Sequence, residues 1–411
     1  MMQKQFFKSK RLFLLFAGLL VLASCSNPLL SGTAGVPWDT TFTIGGIQFP
    51  NDSIAQRSVV STGSLWRLKG FIQKCQTLRT VTIGFIGGSI TAGALASKPD
   101  LRFSSLFCTY MYDCFPNLKN VNEINAGIGA TNSRFGCSRI QEDLLSFGPD
   151  LIVIEFAVND AGMGDDVYIK SCVEGLVRQC FFYNNNVPVM LLFMPGVNGV
   201  NVQDLHIDVG SYYGLPMISD RDAIWPLIES NRVSRSVFYG DDIHPNDNGH
   251  RVCAYLLYSF VKSQVNAVPD AKSAAPPFLY SDMYQYAGTH DAADTLVKVK
   301  QSGWDQVVVE KGRLSYQSVP LFTGPSFVIQ SRCREITLGV HMQPADTSGI
   351  RVTVDGGALD TTLNNYATIN YTRFVRVLNS TTNDLHVIRV DHGADAPAFT
   401  IDYVLYAGAP D

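Results

Sequence analysis

Charge is scarce in this sequence: 17% of its 411 residues are Asp, Glu, Lys or Arg, and no run of Lys or Arg occurs beyond the first eleven residues. Without the four cations of the first 24 residues (Lys4, Lys8, Lys10, Arg11) the balance is 28 basic to 36 acidic residues. An acidic body without clustered cations argues against nucleic-acid or anionic-membrane binding, both of which depend on such clusters to displace counterions. Metal-type or redox cysteine spacing is lacking too. The cysteines after Cys25 are Cys75, Cys108, Cys114, Cys137, Cys172, Cys180, Cys253 and Cys333, and no two form a Cys-x-x-Cys pair. Their even number permits disulfides in an exported chain, but most are expected as small buried apolar residues. There is no internal repeat, no low-complexity tract, no Gly-Lys-Ser/Thr phosphate loop and no Gly-x-Ser-x-Gly elbow. With 46% apolar residues, 34 glycines and 19 prolines, the chain is excluded from the collagen, coiled-coil and disordered classes.

The N-terminus reads as an address. Cations at positions 4 to 11 precede the apolar run Leu12–Ala23, whose twelve residues are too few to cross ~30 Å of hydrocarbon as a helix. Leu22-Ala23-Ser24-Cys25 resembles a bacterial lipobox, which implies cleavage before Cys25 and lipid attachment to its sulfur. Expected membrane contact is through that anchor alone. The domain expectation is a lipoprotein signal peptide over 1–24, then a tether and extended segment over 25–60. A catalytic domain over 61–263, a linker over 264–279 and a β-sandwich over 280–411 follow. Localisation is expected as an exported lipoprotein of the outer membrane, cell surface or periplasm.

Within 81–262, the apolar runs Val81–Ile86, Val121–Asn125, Leu151–Phe156, Val187–Met194 and Leu215–Ser219 alternate with amphipathic stretches. Helices are expected over Phe103–Cys114, Arg134–Phe147, Tyr168–Asn184 and Val202–Tyr213, with a last helix from an N-cap at Asp247. Strands apolar on both faces and separated by helices indicate a doubly wound α/β domain with a five-stranded parallel sheet. Its ligands lie beyond the carboxyl ends of the strands. After Pro276-Pro277 the period shortens to two over Glu335–His341, Ile350–Asp355, Leu385–Asp391 and Phe399–Tyr406, the pattern of strands with one buried face in a β-sandwich. Phe42–Val60 also reads as extended, either an opening strand or a piece that docks on the second domain. Tyr280, Tyr284, Tyr286 and Trp304 are candidate sugar-stacking rings, although aromatics in a β domain are more often core.

Three strand ends and one turn carry chemistry. Ile86-Gly87-Gly88-Ser89 turns sharply after the first strand, leaving Ser89 at the strand end. The next two strands end in Asn125-Ala126-Gly127 and in Val158-Asn159-Asp160. In a sheet ordered 2-1-3 both flank the first strand, so the Gly127 N–H and the Asn159 amide would converge beside Ser89 as donors for an oxyanion. Singly, each has a structural reading as a tight turn or an Asx-turn. The turn Gly240-Asp241-Asp242-Ile243-His244-Pro245 supplies an imidazole of suitable pKa. It also supplies a carboxylate, Asp241 with Asp242 as competitor, to hold the tautomer. Asp241, Asp242, His244 and His250 are an alternative set of metal ligands, but His250 falls six residues on, inside the helix; no metal or organic cofactor is expected.

Taken together, Gly88-Ser89, Gly127, Asn159-Asp160 and Asp241-x-x-His244-Pro245 resemble the SGNH/GDSL hydrolase superfamily over about residues 80–262. Gly-Gly-Ser-Ile stands in place of the usual Gly-Asp-Ser-Leu. The resemblance implies a flavodoxin-like fold, Ser89 as nucleophile, His244 as base, Asp241 as its orienting acid, and an oxyanion hole from Ser89, Gly127 and Asn159. The expected activity is serine-esterase removal of O-acetyl groups from an acylated carbohydrate. The alternatives are a lipid-directed esterase, lysophospholipase or thioesterase, an acyltransferase, and a glycan-binding lipoprotein without turnover.

Overall fold

The computed structural model describes residues 40–290, 297–308, 313–319, 326–344, 348–393 and 397–408. The expected signal peptide, Cys25 and most of the tether lie outside the described residues. The described chain opens with a hairpin, β1 (Phe42–Ile44) and β2 (Ile47–Phe49), followed by α1 (Asp52–Ser58) and β3 (Val59–Ser61). The extended reading of 42–60 therefore holds at its two ends only. Asn51 accepts the Ile54 N–H and starts a helix between them. The hairpin does not dock on the second domain: Phe42 and Phe49 stack at 4.6 Å and both meet the edge of Tyr255, inside the core of the α/β domain.

That domain continues through α2 (Trp66–Thr77), β4 (Thr80–Gly87), α3 (Ser89–Ala92), α4 (Phe103–Cys114), β5 (Asn120–Gly127), α5 (Ser133–Asp143) and β6 (Leu151–Glu155). It ends with α6 (Asp166–Tyr183), β7 (Val189–Phe193), α7 (Gln203–Tyr212), β8 (Met217–Ser219), α8 (Asp220–Glu229) and α9 (Asp247–Ser263). The parallel strands run β5-β4-β6-β7-β8, the expected doubly wound order. The sheet has six strands rather than five, because β3 pairs antiparallel with the β8 edge. Three residues are too few to show an alternation. Each parallel strand serves two cores. On β6, Leu151 and Val153 enter one helical layer while Ile152 and Ile154 enter the other, which accounts for the unbroken apolar run. The N-cap of α9 is Asn246, whose Oδ1 accepts the Asn248 and Gly249 N–H groups; Asp247, the expected cap, is the first helical residue.

The C-terminal region holds β9 (Ala287–Thr289), β10 (Val297–Ser302), β11 (Trp304–Val308), β12 (Leu314–Ser318), β13 (Ser326–Arg332), β14 (Glu335–Met342), β15 (Gly349–Val354), β16 (Leu359–Asn364), β17 (Tyr371–Asn379), β18 (Leu385–His392) and β19 (Thr400–Ala407). Two antiparallel sheets, β10-β13-β18-β15-β16 and β11-β12-β19-β14-β17 with β9 on β19, enclose a core that includes Phe327, Leu338, Val352, Val390 and Val404. This is the expected sandwich. Tyr284 and Trp304 are buried in it or against it and offer no face to a sugar.

The sandwich sits on α5 and α6. Arg134 and Glu335, both without exposed side-chain surface, pair at 2.5 Å, and Tyr284 donates to the same carboxylate. Phe135 packs between Phe374 and Tyr403 at 4.9 and 4.7 Å. The end of the expected linker meets α6, where Glu174 accepts the N–H groups of Leu279, Tyr280 and Ser281. Seven of the eight described cysteines are buried and Cys114 is half-buried. Burial raises thiol pKa values such as that of Cys114, pushed up to about 11, which suits packing rather than reactivity.

Candidate active site

β4 ends at Gly87, and Ser89 opens the single helical turn α3, so its side chain stands at the carboxyl end of a central strand. Ser89 Oγ lies 2.8 Å from His244 Nε2, across 155 residues of sequence. His244 Nδ1 lies 2.7 Å from Asp241 Oδ2. The turn holding this pair is closed by Gly240 N–H donating to the His244 carbonyl at 3.0 Å and by a bridge between Tyr239 and Pro245. Asp241 Oδ1 accepts the N–H groups of Ile243 (2.8 Å) and His244 (2.6 Å). Burial opposes ionisation of Asp241, but these donors and the imidazole outweigh it and hold the carboxyl below its ordinary pKa. An ionised Asp241 at this distance favours the imidazole tautomer protonated at Nδ1.

The competing residues are committed elsewhere. Asp242 pairs with Arg235 at 2.6 Å. His250 is fully buried, its Nδ1 accepting the Phe103 N–H at 3.3 Å and its Nε2 lying 3.1 Å from the Ala94 carbonyl. Burial lowers its pKa to about 4, so it is a neutral brace between α9 and the segment after α3.

The expected donors divide. The Asn159 side chain lies against the serine turn: a Cβ on Gly88 would fall 2.3 Å from Asn159 Oδ1 and 3.1 Å from its Nδ2, so any side chain at position 88 would displace that amide. Gly127 is engaged elsewhere. Its N–H is held by Asn125 Oδ1 at 3.0 Å, and a Cβ on it would meet Ala92 N at 2.1 Å. The reason is register: Gly127 pairs with Gly87 as the last residue of β5, so the loop that turns toward the serine begins only at Ile128. Gly129 is the glycine beside the serine: a Cβ on it would lie 3.8 Å from Ser89 Cβ. The second glycine of Gly127-Ile128-Gly129 was the signal available in the sequence.

Two further buried groups were missed. Asp160 accepts the Ser133 N–H at 2.8 Å and bonds His206 Nε2 at 2.9 Å, tying the Asn159 loop to the start of α5 and to α7. Arg139, from α5, donates to the Ala126 carbonyl at 2.6 Å and the Gly87 carbonyl at 3.1 Å, clamping the ends of β5 and β4 together.

The fold and its relatives define an ester hydrolase. Residues 85–252 match the GDSL-like lipase/acylhydrolase family. The solved two-domain esterase (CEX) active on acetylated mannans is similar over 87% of this chain and 99% of its own, at 26% identity and a TM-score of 0.77. The same esterase co-crystallised with mannopentaose gives 27% identity and 0.76, covering 87% of this chain and 98% of that one. Comparison with curated proteins gives no significant match. The α/β domain, over residues 85–252, is thus of the GDSL-like lipase/acylhydrolase type, and the chain is a carboxylic ester hydrolase.

Proposed function

We propose that this esterase removes O-acetyl groups from a polysaccharide, with Ser89 as nucleophile, His244 as general base and Asp241 as the carboxylate that orients it. His244 Nε2 takes the Ser89 proton as Oγ attacks the ester carbonyl. The negative oxygen so formed is met by the Ser89 N–H, the Asn159 amide and a donor from the Gly129 turn. Collapse breaks the ester bond, and the imidazolium returns its proton to the departing sugar oxygen. Water, deprotonated by the same imidazole, then releases acetate and restores the serine.

The observation that carries this reading is the continuous series Ser89 Oγ, His244, Asp241, with separations of 2.8 and 2.7 Å. Similarity to an esterase active on acetylated mannans, covering both domains, supports the carbohydrate assignment. The imidazole and carboxylate side chains are 24% and 48% exposed, which suits a polymer laid across a surface more than an acyl chain sunk in a groove. An anchor at Cys25 would hold the enzyme at a membrane surface, where exported glycans are met.

The test is acetate release from acetylated mannan, xylan and pectin by wild type and Ser89→Ala. Release by the wild type alone supports the reading, and equal release by the variant ends it. A nitrophenyl ester series separates the lipid alternative: preference for two carbons favours deacetylation, preference for eight or more favours lipids.

A further inference from the structure

Beneath the serine turn lies a carboxyl that the proposed reaction does not use. Glu155 is the last residue of β6, in register with Gly87 of β4, and 1% exposed. The four residues before it are Leu, Ile, Val and Ile, and among the described residues no ion pair reaches it. A lone buried carboxylate is costly unless neutral or densely hydrogen-bonded, so its presence here asks for a reason.

Its contacts supply one. Oε2 accepts the Thr91 hydroxyl at 2.9 Å, Oε1 has no hydrogen-bond partner among the described residues, and the N–H groups of Gly88 and Thr91 are near enough to favour the charged form. These two positions bracket Ser89. Thr91 is fully buried and pinned a second time, its carbonyl accepting from Asn125 Nδ2 at 2.7 Å. The packing leaves no slack: a Cβ on Gly87 would fall 2.1 Å from Thr91 Oγ1 and 2.5 Å from the Glu155 carbonyl oxygen. The element so held, α3, is one four-residue turn that ends at Gly93 in the left-handed region. A single turn has no cooperative stability of its own, so its orientation has to be imposed from outside.

We propose that Glu155 is a positioning residue, which holds the turn Gly88–Thr91 so that the Ser89 hydroxyl meets His244 and the Ser89 N–H faces the oxyanion. The inference rests on reading Ser89 as the nucleophile. Burial pushes the Glu155 carboxyl up to about 8, the nearby donors drawing it only part of the way back, so the uncharged acid predominates at neutral pH and adds no negative charge under the reacting atoms. A glutamine offers the same carbonyl acceptor without charge; a leucine offers none.

The experiment compares wild type with Glu155→Gln, Glu155→Leu and Thr91→Val. The readouts are kcat and KM on 4-nitrophenyl acetate, the rate of fluorophosphonate labelling, and thermal unfolding. The expected result for Glu155→Leu is a kcat lower by roughly 10- to 100-fold with KM nearly unchanged, the magnitude of a small misplacement of reacting groups. Labelling slows in proportion, and Glu155→Gln stays within a few-fold of wild type. If Glu155→Leu does not fold, Thr91→Val reports the same contact and is expected to lower kcat and labelling together. Wild-type kcat and labelling in Thr91→Val or in folded Glu155→Leu overturns the proposal, as does an equal loss in the glutamine variant. A wild type that hydrolyses the ester without being labelled, or an active Ser89→Ala, sinks the underlying reading instead.

Discussion

Arg313 of the sandwich donates to Asp143 of α5 at 2.6 Å, and through that carboxylate the second domain reaches the strand that carries the serine. Asp143 also pairs with Arg139 at 3.1 Å, and Arg139 holds the carbonyls of Gly87 and Ala126. All three charged side chains are 3% exposed or less.

Removing Arg313 leaves Asp143 its pair with Arg139 but takes away its shorter, charged hydrogen bond. Arg313→Ala is expected to lower unfolding free energy by about 1.5–3 kcal/mol, measured in urea. Hydrolysis of a small ester is expected to fall as well, although residue 313 lies outside the α/β domain. A variant as stable as wild type would show that the sandwich is merely appended.

Asp241 and Asp242 are adjacent in sequence and separable by substitution. Asp241→Asn leaves the shape of the turn but allows the wrong imidazole tautomer, so kcat is expected to drop by ~10³–10⁴-fold. Asp242→Asn removes an exposed pair with Arg235 and is expected to stay near wild type in steady-state assays.

The donor assignment is tested by three variants. Asn159→Ala is expected to lower kcat by ~10²–10³-fold. Gly127→Ala drives a Cβ into the backbone of α3, so its first effect is a lower melting temperature. Gly129→Ala places its Cβ at ordinary contact distance from Ser89 and is expected to melt close to wild type.

Asp220 gives the fold a pH dependence. Burial pushes its carboxyl up to about 7, the bond from Tyr239 at 2.9 Å drawing it only partly back. A group whose pKa is raised on folding stabilises the fold fully at low pH and loses that contribution as pH rises through the folded value. Wild-type stability should therefore fall between about pH 4 and pH 7, by at most ~1.4 kcal/mol per unit from this group, and Asp220→Asn should lack that fall. Parallel wild-type and Asn curves of denaturation midpoint against pH would refute it.

Much of the site was legible because its chemistry follows strand ends. The β-rich apolar runs located β4, β5 and β6, and the topology of a doubly wound sheet then put Ser89 and Asn159 at neighbouring edges. The three-residue separation of Asp241 and His244 allowed a tight turn, and the structure contains one. Residues 42–60 misled because Asn51 caps a helix within an otherwise alternating stretch. Gly127 misled because the register of β5 against β4, which no residue type announces, decides where the strand stops.

The sequence alone determined the two-layered periodicity and the chain order of the serine, amide, carboxylate and imidazole that the strand ends and the turn present, since these depend on residue type and local spacing. Tertiary structure decided which glycine turns to the serine, what the buried acid of Glu155 holds, and how the sandwich is joined to the sheet. Those outcomes depend on contacts such as Arg134 with Glu335 and Asp143 with Arg313, 201 and 170 residues apart, and on backbone register. Neither has a local signature, because burial and pairing energies arise only when distant segments are brought into contact.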